Sequence, residues 1–281
     1  MKFAVTTYIW SAEFTPANAS ILPDIKTAGF DGVELPIFRP AGFQAGAIRR
    51  ALDEQRLECI ASCAFVDGLS LISEDADLRR RTVVHLEDVI KAAADVGARM
   101  IAGPVYAPVG LLAGRRRTTD EWQRAVDAYR AIVPVLRAHD VTLAIEPLNR
   151  FETYFLNTAA DAARLCDEVN DPHVGVVFDT FHANIEEKNI AAGYRTIGRH
   201  LKHVHTSEND RGTPGHGHVP WAEVFAALRD LRYDGWCTIE SFGFNIGDIS
   251  AAAAIWRDLE KTPESIAFDG IRFLKQAVSR G

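Results

Sequence analysis

Four short segments in the second half of the chain each run through apolar or β-branched residues and then break at one residue able to bind a metal or move a proton. They are AIEPLNRFETYFLNT from Ala144, VVFDTFHANIEE from Val176, HVHTSENDRGTPG from His203 and CTIESFG from Cys237. The breaking residues are Glu146, Asp179, His205 and Glu240. Apolar runs that each end in one such group point to four parallel strands aiming polar side chains at a common point. Three carboxylates and one imidazole form an oxygen-rich set suited to Mn²⁺ or Mg²⁺, with Co²⁺ or Zn²⁺ as further candidates.

Elements able to position such a set recur along the whole chain. Strands are expected near Phe3 to Ile9, Gly32 to Leu35, Glu58 to Ala64, Met100 to Val105, Thr142 to Pro147, Gly175 to Asp179, Leu201 to Thr206 and Trp236 to Glu240. Between them lie helical patterns such as Leu78 to Val96, Asp120 to Ala138, Thr158 to Val169 and Trp221 to Leu231, with a last one ending near Val278. Parallel neighbours need crossover helices, so this alternation predicts an α/β fold, a (β/α)₈ TIM barrel. A doubly wound sheet is the weaker alternative, because no G-x-G-x-x-G follows the first strand. Thr118 or Thr119, ahead of Asp120 and Glu121, and Thr158, ahead of Asp161, read as helix starts. Gly29, Gly97 and Gly235 read as helix ends. If the four breaking residues point inward, then Ala144, Val177, His203 and Thr238, two positions earlier, form the interior layer beneath them. His203 is then a buried partner rather than a ligand.

Composition bounds the function classes. The 281 residues, 47% hydrophobic and 25% charged, suffice for one barrel domain spanning 1–281. A formal net charge of −7 argues against a nucleic-acid partner, whose phosphates reward clustered Lys and Arg. The opening MKFAVTTYIW is too short and too rich in Thr for a signal peptide, and no membrane-spanning run is seen, so a cytoplasmic location is expected. Cys59, Cys63, Cys166 and Cys237 form no C-x-x-C pair and are expected to be reduced thiols. Arg115, Arg116 and Arg117, the one basic run, read as a solvated loop ahead of a helix. His216 and His218 lie in a Gly and Pro loop and read as surface residues.

The blocks EPLNRFETYFLNT, DTFHANIEE, HTSENDRGTPG and ESF resemble the signature segments of the ketose 3-epimerases, the D-tagatose and D-psicose 3-epimerase family, within the xylose-isomerase-like group of TIM-barrel sugar isomerases and epimerases. The resemblance implies Glu146, Asp179, His205 and Glu240 as metal ligands, Mn²⁺ first with Co²⁺ or Mg²⁺ as alternatives, and no organic cofactor. It implies Glu146 and Glu240 as the acid/base pair that epimerises C3 of a free ketose through a cis-enediolate. Glu152, His182 and Arg211 would hold the sugar oxygens near C1 to C3, and Phe242 would wall the pocket. Family members are generally dimers or tetramers, which implies a homodimer or homotetramer. Tyr8, Trp10 and Phe14 are further wall candidates, Cys63 a small lining group, and Glu34 a supporting carboxylate. No phosphate-binding turn follows the seventh or eighth strand, which favours a free sugar. The nearest rivals share the enediolate: an aldose-ketose isomerase of the hydroxypyruvate isomerase type and an inosose-type dehydratase. A metal-dependent endonuclease would need a basic face, and a non-catalytic sugar-binding module has little need of two glutamates at a metal.

Overall fold

In the computed structural model, which describes residues 1–244 and 246–279, each expected apolar run forms a strand. They are β1 (Lys2–Thr6), β2 (Gly32–Pro36), β3 (Glu58–Ser62), β4 (Met100–Gly103), β5 (Thr142–Ile145), β6 (Val174–Asp179), β7 (Leu201–His205) and β8 (Trp236–Ile239). Every strand pairs in parallel with its neighbours in sequence, and β8 closes on β1, giving a barrel in the order β1 to β8. The strands read as continuous apolar runs because both of their faces are covered; all six residues of β6 are buried.

Helices ring the barrel at Ala76–Val96, Thr119–His139, Ala159–Val169, Trp221–Asp230 and Pro263–Ser279, as expected, and at Leu22–Ala28, Ala45–Gln55, Thr180–Glu186 and Ile190–Ile197. Their inner faces and the outer face of the sheet make the large apolar core. Inside the barrel the filling is small: Ala102, Ala144 and Val177 pack together there. His203 and Thr238, of the same expected layer, are fully buried.

Local chemistry sets the boundaries. Thr118 caps its helix by accepting from the Glu121 amide while the Glu121 carboxylate accepts from the Thr118 amide, and Thr158 caps the next by accepting from Asp161 N–H. Gly29 and Gly97 end helices in the left-handed conformation at φ 98° and 90°. Gly235 does not. The helix before it stops at Asp230, and the chain reverses at Arg232, whose φ is 52°. Most strands are also shorter than expected, because ladder pairing ends where the chain leaves the barrel rim. Thr7–Ile9 turns instead of extending β1, and Glu146 and Glu240 each stand one residue past a strand. In the basic run, Arg115 and Arg116 are exposed, as expected of a solvated loop, although Arg115 also grips the Glu121 carboxylate; Arg117 is half-buried and pairs with Asp161, so it ties down a helix start instead.

Candidate metal centre and active site

At the C-terminal rim, parallel register places Asp179 of β6 directly beside His205 of β7, and His205 beside Thr238, two residues before Glu240. Glu146 follows β5 on the other side of Asp179. One ligand atom from each of Glu146, Asp179, His205 and Glu240 lies within 4.8 Å of all the others, and all four residues are buried. His205 Nδ1 is close to both glutamates, 3.5 Å from Glu146 Oε1 and 3.4 Å from Glu240 Oε2.

The set fits a divalent cation. Glu146 Oε1 and His205 Nδ1 are buried and have no hydrogen-bond partner, although buried polar atoms are nearly always satisfied. Both face the cluster. The donors, three carboxylates and an imidazole, are those that hold Mn²⁺ or Mg²⁺.

The cluster strains its own protonation. Burial, with Glu240 nearby, pushes Glu146 up to about 8. Burial and Glu240 raise Asp179 to about 6 despite Arg211. Burial would raise Glu240 as well, but His205 and Arg211 outweigh it and hold that carboxyl well below its usual range. Burial opposes a charge on His205, yet Glu240 and Glu34 raise its proton affinity well above the usual imidazole value. A metal ion would take the place of that proton at Nδ1.

Beneath the cluster, the fully buried Glu34 of β2 joins two histidines of β7. Its Oε2 is 2.8 Å from His203 Nε2 and its Oε1 is 3.1 Å from His205 Nε2. With Nε2 engaged by the carboxylate, His205 turns Nδ1 toward the cluster. Burial opposes the Glu34 charge, but the two histidines hold its carboxyl at about 2.

Arg211 is the cation of the site. Its Nη1 donates to Asp179 Oδ2 at 2.6 Å and to Glu240 Oε2 at 2.7 Å. The guanidinium lies 3.9 Å from the ring centre of Phe181 and 5.2 Å from that of Phe242. Its backbone is left-handed at φ 67°, a conformation that a non-glycine residue adopts at some cost. The loop is fixed by Glu208, fully buried, whose carboxylate accepts from the amides of Asn209, Gly215 and Val219 and from Trp221 Nε1.

A cavity of about 430 Å³ opens over this cluster, with Glu146, Glu152, His182, His205, Arg211, Glu240 and Phe242 in its lining. Tyr8 and Cys63 line it too. Tyr8 stands in a ring stack between Phe38, at 5.8 Å, and Phe242, at 5.5 Å, so its edge rather than a free face meets the cavity. Its hydroxyl is 2.5 Å from Ser62 Oγ, which itself donates to Leu35 O. Trp10 and Phe14 lie outside this lining, although Ala12 and Glu13 between them belong to it: the Trp10 ring packs on Phe268 and the Phe14 ring is buried in the apolar core, so both side chains turn inward while the chain passes the mouth. His216 and His218 are exposed, and His216 pairs with Glu260.

Several neighbours escaped the sequence reading. Asn149 bonds both His182 and Glu152, and Phe181 carries the Arg211 guanidinium. Both stand inside the motifs already quoted, so position within EPLNR and DTFH was the available signal. Ser62 and Phe38 had no signal beyond lying near strand ends.

The geometry agrees with likeness to known proteins. Residues 22–277 match the family described as Xylose isomerase-like TIM barrel. A probable ketose 3-epimerase of Synechocystis sp. is 35% identical, the match covering 98% of this chain and 96% of that protein. A D-psicose 3-epimerase of Enterocloster bolteae is 31% identical over 92% of this chain and 88% of its own. The crystal structure of a D-allulose 3-epimerase from Methylomonas sp. in complex with D-allulose superposes with a TM-score of 0.93 at 26% identity, covering 99% of this chain and 97% of that one. With its barrel, its rim cluster and these relatives, the chain belongs to the xylose isomerase-like TIM-barrel family and, within it, to the ketose 3-epimerases, enzymes of the isomerase class.

Proposed function

We propose that this enzyme epimerises C3 of an unphosphorylated ketose, of the tagatose, psicose, fructose or ketopentose type, with Glu146 and Glu240 as the acid/base pair. The observation that carries this reading is the buried cluster of Glu146, Asp179, His205 and Glu240, with its two unsatisfied atoms aimed inward. These four residues would hold Mn²⁺, with Co²⁺ or Mg²⁺ as alternatives. The ion's charge beside the carbonyl would acidify the neighbouring C–H and favour the enediolate over the free carbanion.

The residues then divide the work. One glutamate takes the C3 proton, and the C–H electron pair becomes the C2–C3 double bond as the carbonyl electrons move to O2. The other glutamate returns a proton to the opposite face of C3, and the carbonyl re-forms. The convergence of both glutamates on His205 Nδ1, at 3.5 and 3.4 Å, supports this pairing. Glu152, His182 and Arg211 are assigned to the sugar oxygens, and Phe242 with the edge of Tyr8 to the wall. A homodimer or homotetramer in the cytoplasm, with no organic cofactor and no nucleic-acid partner, completes the reading. Among the described residues no helix is long and apolar enough to cross a membrane.

Turnover of free ketoses in D₂O with Mn²⁺ tests it. Deuterium is expected at C3 of the epimer and none at C1. Label at C1 would make the enzyme an aldose-ketose isomerase, and loss of water would make it a dehydratase.

A further inference from the structure

The hydrogen bonds around Asn149 leave only one consistent arrangement of protons. The Phe151 amide donates to Asn149 Oδ1 at 2.9 Å, which fixes the orientation of the carboxamide and places its NH₂ toward the site. That NH₂ reaches Glu152 Oε1 at 2.7 Å and His182 Nδ1 at 3.0 Å. The Asn149 main-chain N–H points at the same His182 Nδ1, also at 3.0 Å. A backbone amide can only donate. His182 Nδ1 therefore carries a lone pair, the ring is neutral, and its proton is on Nε2.

This creates a mismatch that a ligand would resolve. His182 Nε2–H lies 3.1 Å from Arg211 Nη2, and a guanidinium also only donates. Two donors cannot satisfy each other. The nearest carboxylate oxygens, Glu146 Oε1 and Asp179 Oδ2, are both 3.8 Å from Nε2, beyond hydrogen-bond range. Both His182, which is buried, and Arg211 line the cavity, so an acceptor entering there would lie within reach of the two N–H groups that cannot satisfy each other.

We infer that Asn149 is a positioning residue: it holds His182 as an Nε2–H donor alongside Arg211, and it holds the Glu152 carboxylate as an acceptor, so that the site presents two donors and one acceptor to a carbonyl flanked by a hydroxyl. A ketone oxygen takes the two donors and the adjacent hydroxymethyl group donates to Glu152. This assignment rests on the ketose reading and deepens it. His182 polarises the carbonyl as a neutral donor and does not remove a proton.

Two measurements test it. In the resting enzyme labelled with ¹⁵N-histidine, with no sugar added, long-range ¹H–¹⁵N correlation should show His182 bare at Nδ1 and protonated at Nε2, the signal being identified by its loss in His182→Gln. A proton on Nδ1 would overturn the inference whatever reaction the enzyme performs. Kinetics give the second arm. Asn149→Ala keeps the main-chain donor, so the His182 tautomer should persist while Glu152 loses its tether and kcat/KM falls. Asn149→Asp also keeps the main-chain donor but puts a carboxylate oxygen against Glu152 and His182 Nδ1, so both lose a donor and kcat/KM should fall about 10- to 100-fold with metal content unchanged. Wild-type kinetics in both folded variants would reject the positioning role. If the variants fail to fold, the tautomer of the resting enzyme decides; if no ketose is turned over, the function falls while the tautomer still tests Asn149.

Discussion

Glu34 and His205 meet across the barrel, from strands β2 and β7, with Glu34 Oε1 3.1 Å from His205 Nε2. Neither is accessible to solvent, and the second oxygen of Glu34 is held by His203. A ring that would bind a metal through Nδ1 is thus oriented by a carboxylate from the far side of the fold.

Replacing Glu34 by Gln tests that relationship. An amide offers one acceptor and one donor, so one of the two histidines must then face an N–H. Metal affinity is expected to fall about 10- to 100-fold, as for other residues that orient a ligating histidine. Titration of Mn²⁺ into the chelator-treated variant, monitored by electron paramagnetic resonance, measures it. An affinity equal to that of the wild type would show that the bond is only structural.

Chelation should abolish turnover, and Mn²⁺ or Co²⁺ should restore it. His205→Ala removes the only nitrogen from the four-residue cluster and should cost metal retention, whereas His203→Ala should cost stability more than metal. Full activity in a preparation verified as free of divalent ions would reject a metal enzyme.

Protonation of the cluster predicts an unusual dependence of stability on pH in chelator-treated protein. Glu146, raised to about 8, and His205, raised above its usual 6.5, keep protons in the fold that the unfolded chain releases. Such groups stabilise the fold at low pH and lose that contribution as pH rises. His182 and His203 are lowered by burial and act oppositely, but only below about 6.5; the lowered Glu34 acts below 4.5. Between pH 6.5 and 8 the raised groups therefore dominate, and Tm should fall with pH. Saturating Mn²⁺ should remove the decline, because the cation replaces the protons, and its affinity should tighten over the same interval. A Tm of chelator-treated protein that rises from pH 6.5 to 8 would contradict this account.

Either glutamate changed to Gln keeps an oxygen but loses a base. Glu146→Gln and Glu240→Gln should each lower epimerisation about 10²- to 10⁴-fold. Each should still exchange the C3 proton of the one epimer that presents it to the remaining glutamate. Unchanged rates in both variants would move the chemistry to another site.

Arg211→Ala should leave metal bound and lower kcat/KM for ketoses. If Arg211 contacts substrate equally in the ground and transition states, the loss appears in KM, with kcat little changed. Wild-type kinetics would make Arg211 a structural counter-ion of Asp179 and Glu240.

Much of this fold was legible because burial on both faces makes barrel strands stand out as apolar runs, and because a carboxylate at the end of such a run is costly unless it has work to do. Glu146, Asp179, His205 and Glu240 announce themselves that way. Glu34 instead interrupts an apolar run in the middle of β2, and its partners stand 169 and 171 residues away, so a pairing across a closed barrel leaves no local pattern. Asn149 stands inside a quoted motif, yet its role was not legible for a different reason: its effect is exerted through hydrogen bonds to its neighbours His182 and Glu152. Gly235 misled because left-handed turns here are often made without glycine, at Arg56, Asp140, Asn170 and Arg232. Sterics disfavour such turns, yet tertiary contacts sustain them.

The loop that carries Arg211 has a kinetic corollary. Four hydrogen bonds to the Glu208 carboxylate, and a backbone already set in a sparsely populated conformation, mean that its ordering entropy is spent during folding rather than at each encounter with a sugar. Such a segment is a poor lid. Any gating of entry and exit would then fall to other parts of the cavity wall, while the guanidinium waits in place.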